Sequence, residues 1–181
     1  MTEPPRPPTW ADQLQTFFET RARTVKGRRL SNAELCYVSA REPRLWSDER
    51  LYADLIDSIR DGLALEEDHR LLEVGCAAGF LARGLAGCVR RYVGADLAWA
   101  TAAVARSLRL PGAAFVQADG ACLPFADDTF DRVISYDVFT NIPDWKTAEA
   151  IVVDMVRVTR PGGRVMIGSA KLSLEVRKEK R

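Results

Sequence analysis

Four short stretches of this chain each run an apolar pattern into small or acidic residues, and these are where chemistry is best sought. The first is Leu71-Leu72-Glu73-Val74-Gly75-Cys76-Ala77-Ala78-Gly79-Phe80. Gly75 and Gly79 lack Cβ atoms, and Ala77 and Ala78 are nearly as small, so a ligand can come close to this backbone. A helix that follows offers free N–H groups at its start. A tight strand-to-helix turn without a ligand explains the same letters. The second stretch, Val93-Gly94-Ala95-Asp96, ends in a carboxylate 21 residues after Gly75. About that separation brings an acidic residue to the ribose hydroxyls of an adenosine-containing group. A carboxylate can accept from both hydroxyls, although Asp96 equally suits the N-cap of the next helix. In the third, Gln117-Ala118-Asp119-Gly120, Asp119 suits an exocyclic amine and a nearby N–H suits a ring nitrogen, the two marks of an adenine edge. Asp-Gly is also a common turn. The fourth, Val133-Ile134-Ser135-Tyr136-Asp137, finishes with polar groups.

The elements that carry these stretches alternate from residue 70 onward. Apolar runs at Arg70–Gly75, Arg91–Ala95, Ala113–Gln117, Arg132–Tyr136 and Gly163–Gly168 read as strands. Amphipathic segments over 79–88, 98–108 and 145–159 read as helices between them. Such alternation specifies an α/β domain with a parallel sheet covered on both faces, three layers deep. Ligands of such sheets bind at the carboxyl ends of the strands, so the four stretches meet along one rim. Before the sheet, Trp10, Leu14, Phe17 and Phe18 recur at helical spacing over 10–24. A second helix is expected over 47–62, with Ser47 as its N-cap and Asp61-Gly62 as its end. The expected organisation is a helical segment over 1–46 with a disordered proline-rich start, a ligand-binding domain over 47–168 and a basic tail over 169–181.

Composition narrows the class. The chain has 181 residues, 47% of them hydrophobic, with a formal net charge of +1. That suits one globular domain and gives no overall field for nucleic acid or an anionic membrane. Basic runs at Arg21–Arg29 and Arg177–Arg181 read as solvated ends, so a nucleic-acid partner is not expected. Cys36, Cys76, Cys88 and Cys122 form no C-x-x-C pair, and with one histidine, His69, they make no metal site. Free thiols and the lack of a signal core or an apolar span point to a cytoplasmic, non-membrane protein.

Taken together, LLEVGCAAGF, YVGADL, VQADGACLPFADDTFDRVISYDVF and RVTRPGGRVMIG resemble the class I S-adenosylmethionine (SAM)-dependent methyltransferases, in particular the branch of ubiquinone/menaquinone-biosynthesis-type enzymes. The resemblance covers residues 47–168 and implies a Rossmann-like, doubly wound sheet, mostly parallel. It implies SAM as cofactor, S-adenosylhomocysteine as product and a small-molecule acceptor. Glu73, Gly75 and the backbone of Cys76, Ala77 and Gly79 would face the methionine part. Asp96 would hold the ribose with Leu97 beside the adenine, Asp119 and Gly120 would read the adenine, and Tyr136 would line the cleft near the sulfonium. Ala77 stands where the family usually has glycine. Pro161-Gly162-Gly163 resembles the family's turn before the fifth strand. A nicotinamide site is disfavoured, because G-x-G-x-x-G would need glycine at Ala77 and Phe80.

No catalytic base is identified. His69, just before the first strand, belongs to the opposite edge and is expected at the surface. Trp10, Phe17 and Phe18 are expected as core, and Tyr37 and Trp46 as parts of a lid. The family fold has seven strands, whereas 13 residues follow Gly168 and Leu172, Leu174 and Val176 suggest one short strand. A second copy or another chain is expected to cover the edge of the fifth strand. The alternative reading is a truncated or non-catalytic SAM-binding protein.

Overall fold

Leu71 and Leu72 are consecutive, fully buried residues that point to opposite faces of one strand, and each meets its own helical layer. The protein is seen here as a computed structural model that describes residues 8–25 and 30–168. The proline-rich start, part of the first basic run and the tail beyond Gly168 lie outside the described residues. Five strands, β1 (Arg70–Val74), β2 (Arg91–Asp96), β3 (Ala113–Gln117), β4 (Phe130–Tyr136) and β5 (Thr159–Gly168), form one sheet in the order β3-β2-β1-β4-β5. Every pairing is parallel, as the alternating pattern requires.

The helices are α1 (Trp10–Arg23), α2 (Asn32–Val38), α3 (Pro43–Trp46), α4 (Glu49–Leu63), α5 (Ala82–Leu85), α6 (Trp99–Ser107) and α7 (Trp145–Val158). On one face Leu71, Tyr92 and Ile134 pack with Ile56, Ile59 and Leu63 of α4, with Leu81 and Leu85, and with Ala102 and Ala105 of α6. On the other, Leu72, Val74, Ala95 and Val133 pack with Ile151, Met155 and Val158 of α7. A third cluster joins Ala22 and Val25 to Leu35 and Val38 of α2, to Ala78 and to Val104 of α6, which seats the N-terminal helices beside the β1 loop.

Several boundaries differ from the sequence reading for local reasons. Asp48 rather than Ser47 caps α4, accepting from the N–H groups of Arg50 and Leu51. The helix runs past Asp61-Gly62 to a left-handed C-cap at Ala64, and the bare Gly62 lets the tip of the Met166 side chain lie against the helix. The helix expected over 79–88 breaks into α5 and a single 3₁₀ turn at Ala86–Cys88, in a run that contains two glycines, which are poor helix formers. Strand β4 begins at Phe130, and β5 at Thr159. Between them Thr159 pairs with Phe130 and Arg164 with Arg132, so Arg160–Gly163 loop out opposite Asp131 alone. Pro161-Gly162-Gly163 is the turn of that excursion, with Gly162 at φ +76°.

His69 is a correction. It is buried rather than exposed, its Nδ1 accepting the Glu66 N–H at 3.0 Å. An imidazole whose Nδ1 accepts a backbone N–H has that nitrogen satisfied in the interior. Its place at the start of β1, away from the ligand rim, is as expected.

Candidate functional site

The strand order reverses between β1 and β4: the chain moves from β1 out to β3, then returns to the other side of β1. Loops that diverge at such a switch point leave a crevice. A cleft of about 850 Å³ opens there, lined on the sheet rim by Gly75, Ala77, Asp96, Leu97, Asp119, Gly120 and Tyr136. All four stretches singled out by the sequence therefore contribute to one cavity. Glu73, Cys76 and Gly79 lie outside its lining.

The β1 loop is turned by left-handed backbone at Gly75 (φ +81°), Ala77 (φ +43°) and Gly79 (φ +82°). A Cβ on Gly75 would run into the Val138 side chain, and the left-handed backbone there also favours glycine. Gly79 serves packing instead, since its Cβ would press on Leu108 and Ala105. Ala77 keeps its left-handed turn with its N–H donating to Asp96 Oδ2 at 2.7 Å. The other Asp96 oxygen, Oδ1, accepts from the Ala98 N–H at 2.9 Å and from Thr101 Oγ1 at 3.0 Å. A carboxylate offers about four acceptor positions. Asp96 thus braces two loops and retains one vacancy, on Oδ2. Burial raises its pKa, and the bonds from Ala98, Ala77 and Thr101 oppose the rise.

Asp119 is exposed and accepts the Ala121 N–H at 2.9 Å through Oδ1. Beneath the loop, Glu73 is 1% exposed and accepts a hydrogen bond from the Tyr92 hydroxyl. Burial pushes its carboxyl up to about 8, with Asp96 adding to the rise and Arg41 opposing it. The Cys76 thiol is held protonated by burial and by the carboxyls of Asp96 and Glu73.

The rest of the lining includes Trp10, Leu14 and Phe18 of α1, with Trp46 and Ile142. Trp46 joins as expected, set edge-on to Phe80 at 6.0 Å. Trp10 and Phe18, expected as core, are cleft residues, because α1 leans on α6 rather than on the sheet. Phe17 is exposed, and Tyr37 is outside the lining, under the Arg21 guanidinium at 4.0 Å.

One cleft residue has no signal in the sequence pattern. Arg41, in the turn after α2, ion-pairs through Nη1 with Asp137 Oδ2 at 2.7 Å, across a separation of 96 residues. Its guanidinium lies 4.7 Å from the Phe80 ring centre and 5.2 Å from that of Tyr136. Burial, then the Asp137 carboxylate, raise the Tyr136 pKa, and Arg41 opposes them.

A parallel sheet in this order, with small residues after β1 and single acids after β2 and β3 around a common cleft, has the architecture of a nucleoside-cofactor enzyme of the methyltransferase class. A family model described as "Methyltransferase domain" matches residues 72–167, and the chain belongs to this family, the class I SAM-dependent methyltransferases. Among curated relatives, an uncharacterized methyltransferase of Mycobacterium leprae is 37% identical over 54% of this chain and 35% of its own length. Methyltransferase GfsG of Streptomyces halstedii is 33% identical over 62% of this chain and 42% of its own. The chain therefore spans less than half the length of these two relatives. Among solved structures, the YcgJ protein of Bacillus subtilis superposes with a TM-score of 0.58 at 24% identity, over 64% of this chain and 50% of that one. The [4+2]-cyclase SpnF superposes at 0.66 and 20% identity, over 88% and 60%. These two likenesses speak for the fold alone. Among the described residues no helix is long and apolar enough to cross a membrane.

Proposed function

We propose that this chain transfers a methyl group from SAM to a small-molecule acceptor whose bulk is apolar. The observation that carries the reading is that Gly75, Asp96 and Asp119, from three separate strand ends, line the same cleft together with the aromatic rings of Trp10, Phe18 and Trp46. The bound cofactor would supply an activated methyl on a sulfonium. The residues fit it: Asp119 suits the adenine amine, Leu97 the ring, and the vacant position on Asp96 Oδ2 one ribose hydroxyl. The Gly75–Ala77 backbone leaves room for the amino-acid part, and Tyr136 sits beside it.

The chain's own contribution is then alignment. Trp10, Leu14 and Phe18 give an acceptor an apolar surface and displace water. Holding two reactants in line lowers a barrier by roughly 7–11 kcal/mol in favourable cases. His69 lies at the opposite end of β1 and has no part in a proton transfer, so an acceptor that arrives deprotonated fits best.

A second reading, cofactor binding without methyl transfer, is favoured by the ion pair that ties the Asp137 carboxylate to Arg41, which takes that acid at the β4 end out of use as a base. Calorimetry with SAM and S-adenosylhomocysteine tests both. Tight binding with turnover in an acceptor screen supports the transferase; binding with no turnover supports the second reading; no binding to either ligand overturns both.

A further inference from the structure

Arg41 is the strongest feature that the cofactor reading leaves unexplained. Its side chain is 7% exposed yet borders the cleft, whereas the cleft's other cation among the described residues, Lys146, is exposed. A guanidinium carries five N–H donors in a planar fork. Here Nη1 meets one oxygen of Asp137, Nη2 reaches the Tyr136 carbonyl at a long 3.5 Å, and Nε is buried with no acceptor. A buried cation with unanswered donors is costly, and a fork bound at one point is an incomplete version of the two-point pairing that arginine favours.

Its position along the rim suggests what completes it. Asp119 follows β3, Asp96 follows β2, Gly75 follows β1, and Tyr136 and Asp137 follow β4. Neighbouring strands are roughly 4.8 Å apart, so the β4 end lies about 10 Å from the β2 end. A nucleoside with its ribose at Asp96 and its base toward Asp119 must extend its amino-acid end across Gly75 toward β4. That path ends at Tyr136 and Asp137, the two β4 residues that Arg41 contacts. We infer that Arg41 is the cleft's carboxylate site and takes the α-carboxylate at the amino-acid end of the cofactor, with Asp137 holding the guanidinium in place by its single bond. The inference rests on the SAM reading of the cleft. It also gives residues before α4 a direct part in cofactor binding, through one side chain.

Two ligands isolate the contact. S-adenosylhomocysteine carries the carboxylate; 5′-methylthioadenosine keeps the adenosine and sulfur but lacks it. Calorimetry on the full chain should show Arg41→Gln weakening S-adenosylhomocysteine by roughly 10- to 100-fold, as loss of charge-assisted hydrogen bonds implies, while 5′-methylthioadenosine changes less than about twofold. Equal weakening of both ligands, or of neither, overturns the assignment. Arg41→Lys keeps the charge without the fork and supplies the test if Arg41→Gln does not fold: its affinity ratio between the two ligands should fall severalfold, and an unchanged ratio overturns the assignment. A wild-type chain that binds neither ligand overturns the cofactor reading itself, a different result from an unchanged ratio.

Discussion

Asp96 and Asp131 sit near opposite ends of the same sheet, and their surroundings push them in opposite directions. At the lower rim, Asp131 accepts the Arg70 N–H at 2.6 Å and lies between the guanidinium groups of Arg70 and Arg160. Burial works against ionisation there, yet the Arg70 N–H and the two arginines hold the carboxyl below its usual range. Next to it, Arg132 donates to the carbonyls of Leu63, Asp131 and Ala64. At the upper rim burial dominates: Asp96 and Glu73 are raised, and Arg41 Nε has no acceptor. One end of the sheet has its polar groups answered by the protein. The other keeps an unanswered donor and raised carboxyls, which is what a binding site requires and a stabilising element avoids.

Glu73→Gln should break that contrast most strongly. The unfolded carboxyl releases its proton near 4.5 and the folded one near 8, so Glu73's contribution is present below 4.5 and is lost as pH rises toward 8. Urea unfolding at pH 5 and pH 8 should show the wild type weaker at pH 8, on the order of a few kcal/mol, and the variant with a much smaller difference. An undiminished difference would assign the pH dependence to other groups. Asp131 titrates the other way: its contribution is present above the usual value of 3.8 and is lost as pH falls below it. Asp131→Ala should cost about 2–3 kcal/mol near neutral pH, less than for a fully buried pair because both arginines are partly exposed. S-adenosylhomocysteine affinity should stay within about twofold; a larger loss would mean the two rims are coupled.

The two rims were not equally legible in the sequence. The strands and the small or acidic residues at their ends follow from alternation and spacing, because a parallel sheet needs continuous apolar runs and places every loop of one kind on one edge. Seven of the ten expected site residues line the cleft for that reason. Arg41 was invisible because its partner is 96 residues away and no periodicity links the turn after α2 to the end of β4. Burial of His69 depended on one backbone donor, Glu66 N–H, and Glu73 on a hydroxyl from the next strand; neither contact leaves a mark in local patterning. The α1 aromatics show the same limit: spacing identified the apolar face but not that the face covers a cavity.

Asp96→Ala carries the comparison into ligand binding. The substitution removes three internal bonds and the vacant Oδ2 position. S-adenosylhomocysteine affinity should fall by about 1.5–3 kcal/mol, the worth of one charged hydrogen bond, rather than double that. The melting temperature should fall as well, since the β1 loop and the start of α6 lose their brace. A loss twice as large would mean that Asp96 gives up its bond to Ala77 and accepts both ribose hydroxyls when the cofactor binds.

Ala77→Gly has the smallest expected effect and sharpens the meaning of strain at the upper rim. At φ +43° an alanine Cβ crowds the following carbonyl, a conformation glycine adopts freely. Relief of about 1–2 kcal/mol is partly offset by about 0.4–1 kcal/mol from the greater freedom glycine gives the unfolded chain, so a gain of roughly 0.5–1 kcal/mol in unfolding free energy is expected. The Ala77 N–H bond to Asp96 holds the turn in either case, so S-adenosylhomocysteine affinity should change less than about threefold. If affinity instead rises tenfold, the methyl group of Ala77 narrows the cofactor's path, and the strained turn limits binding rather than merely tolerating its own geometry.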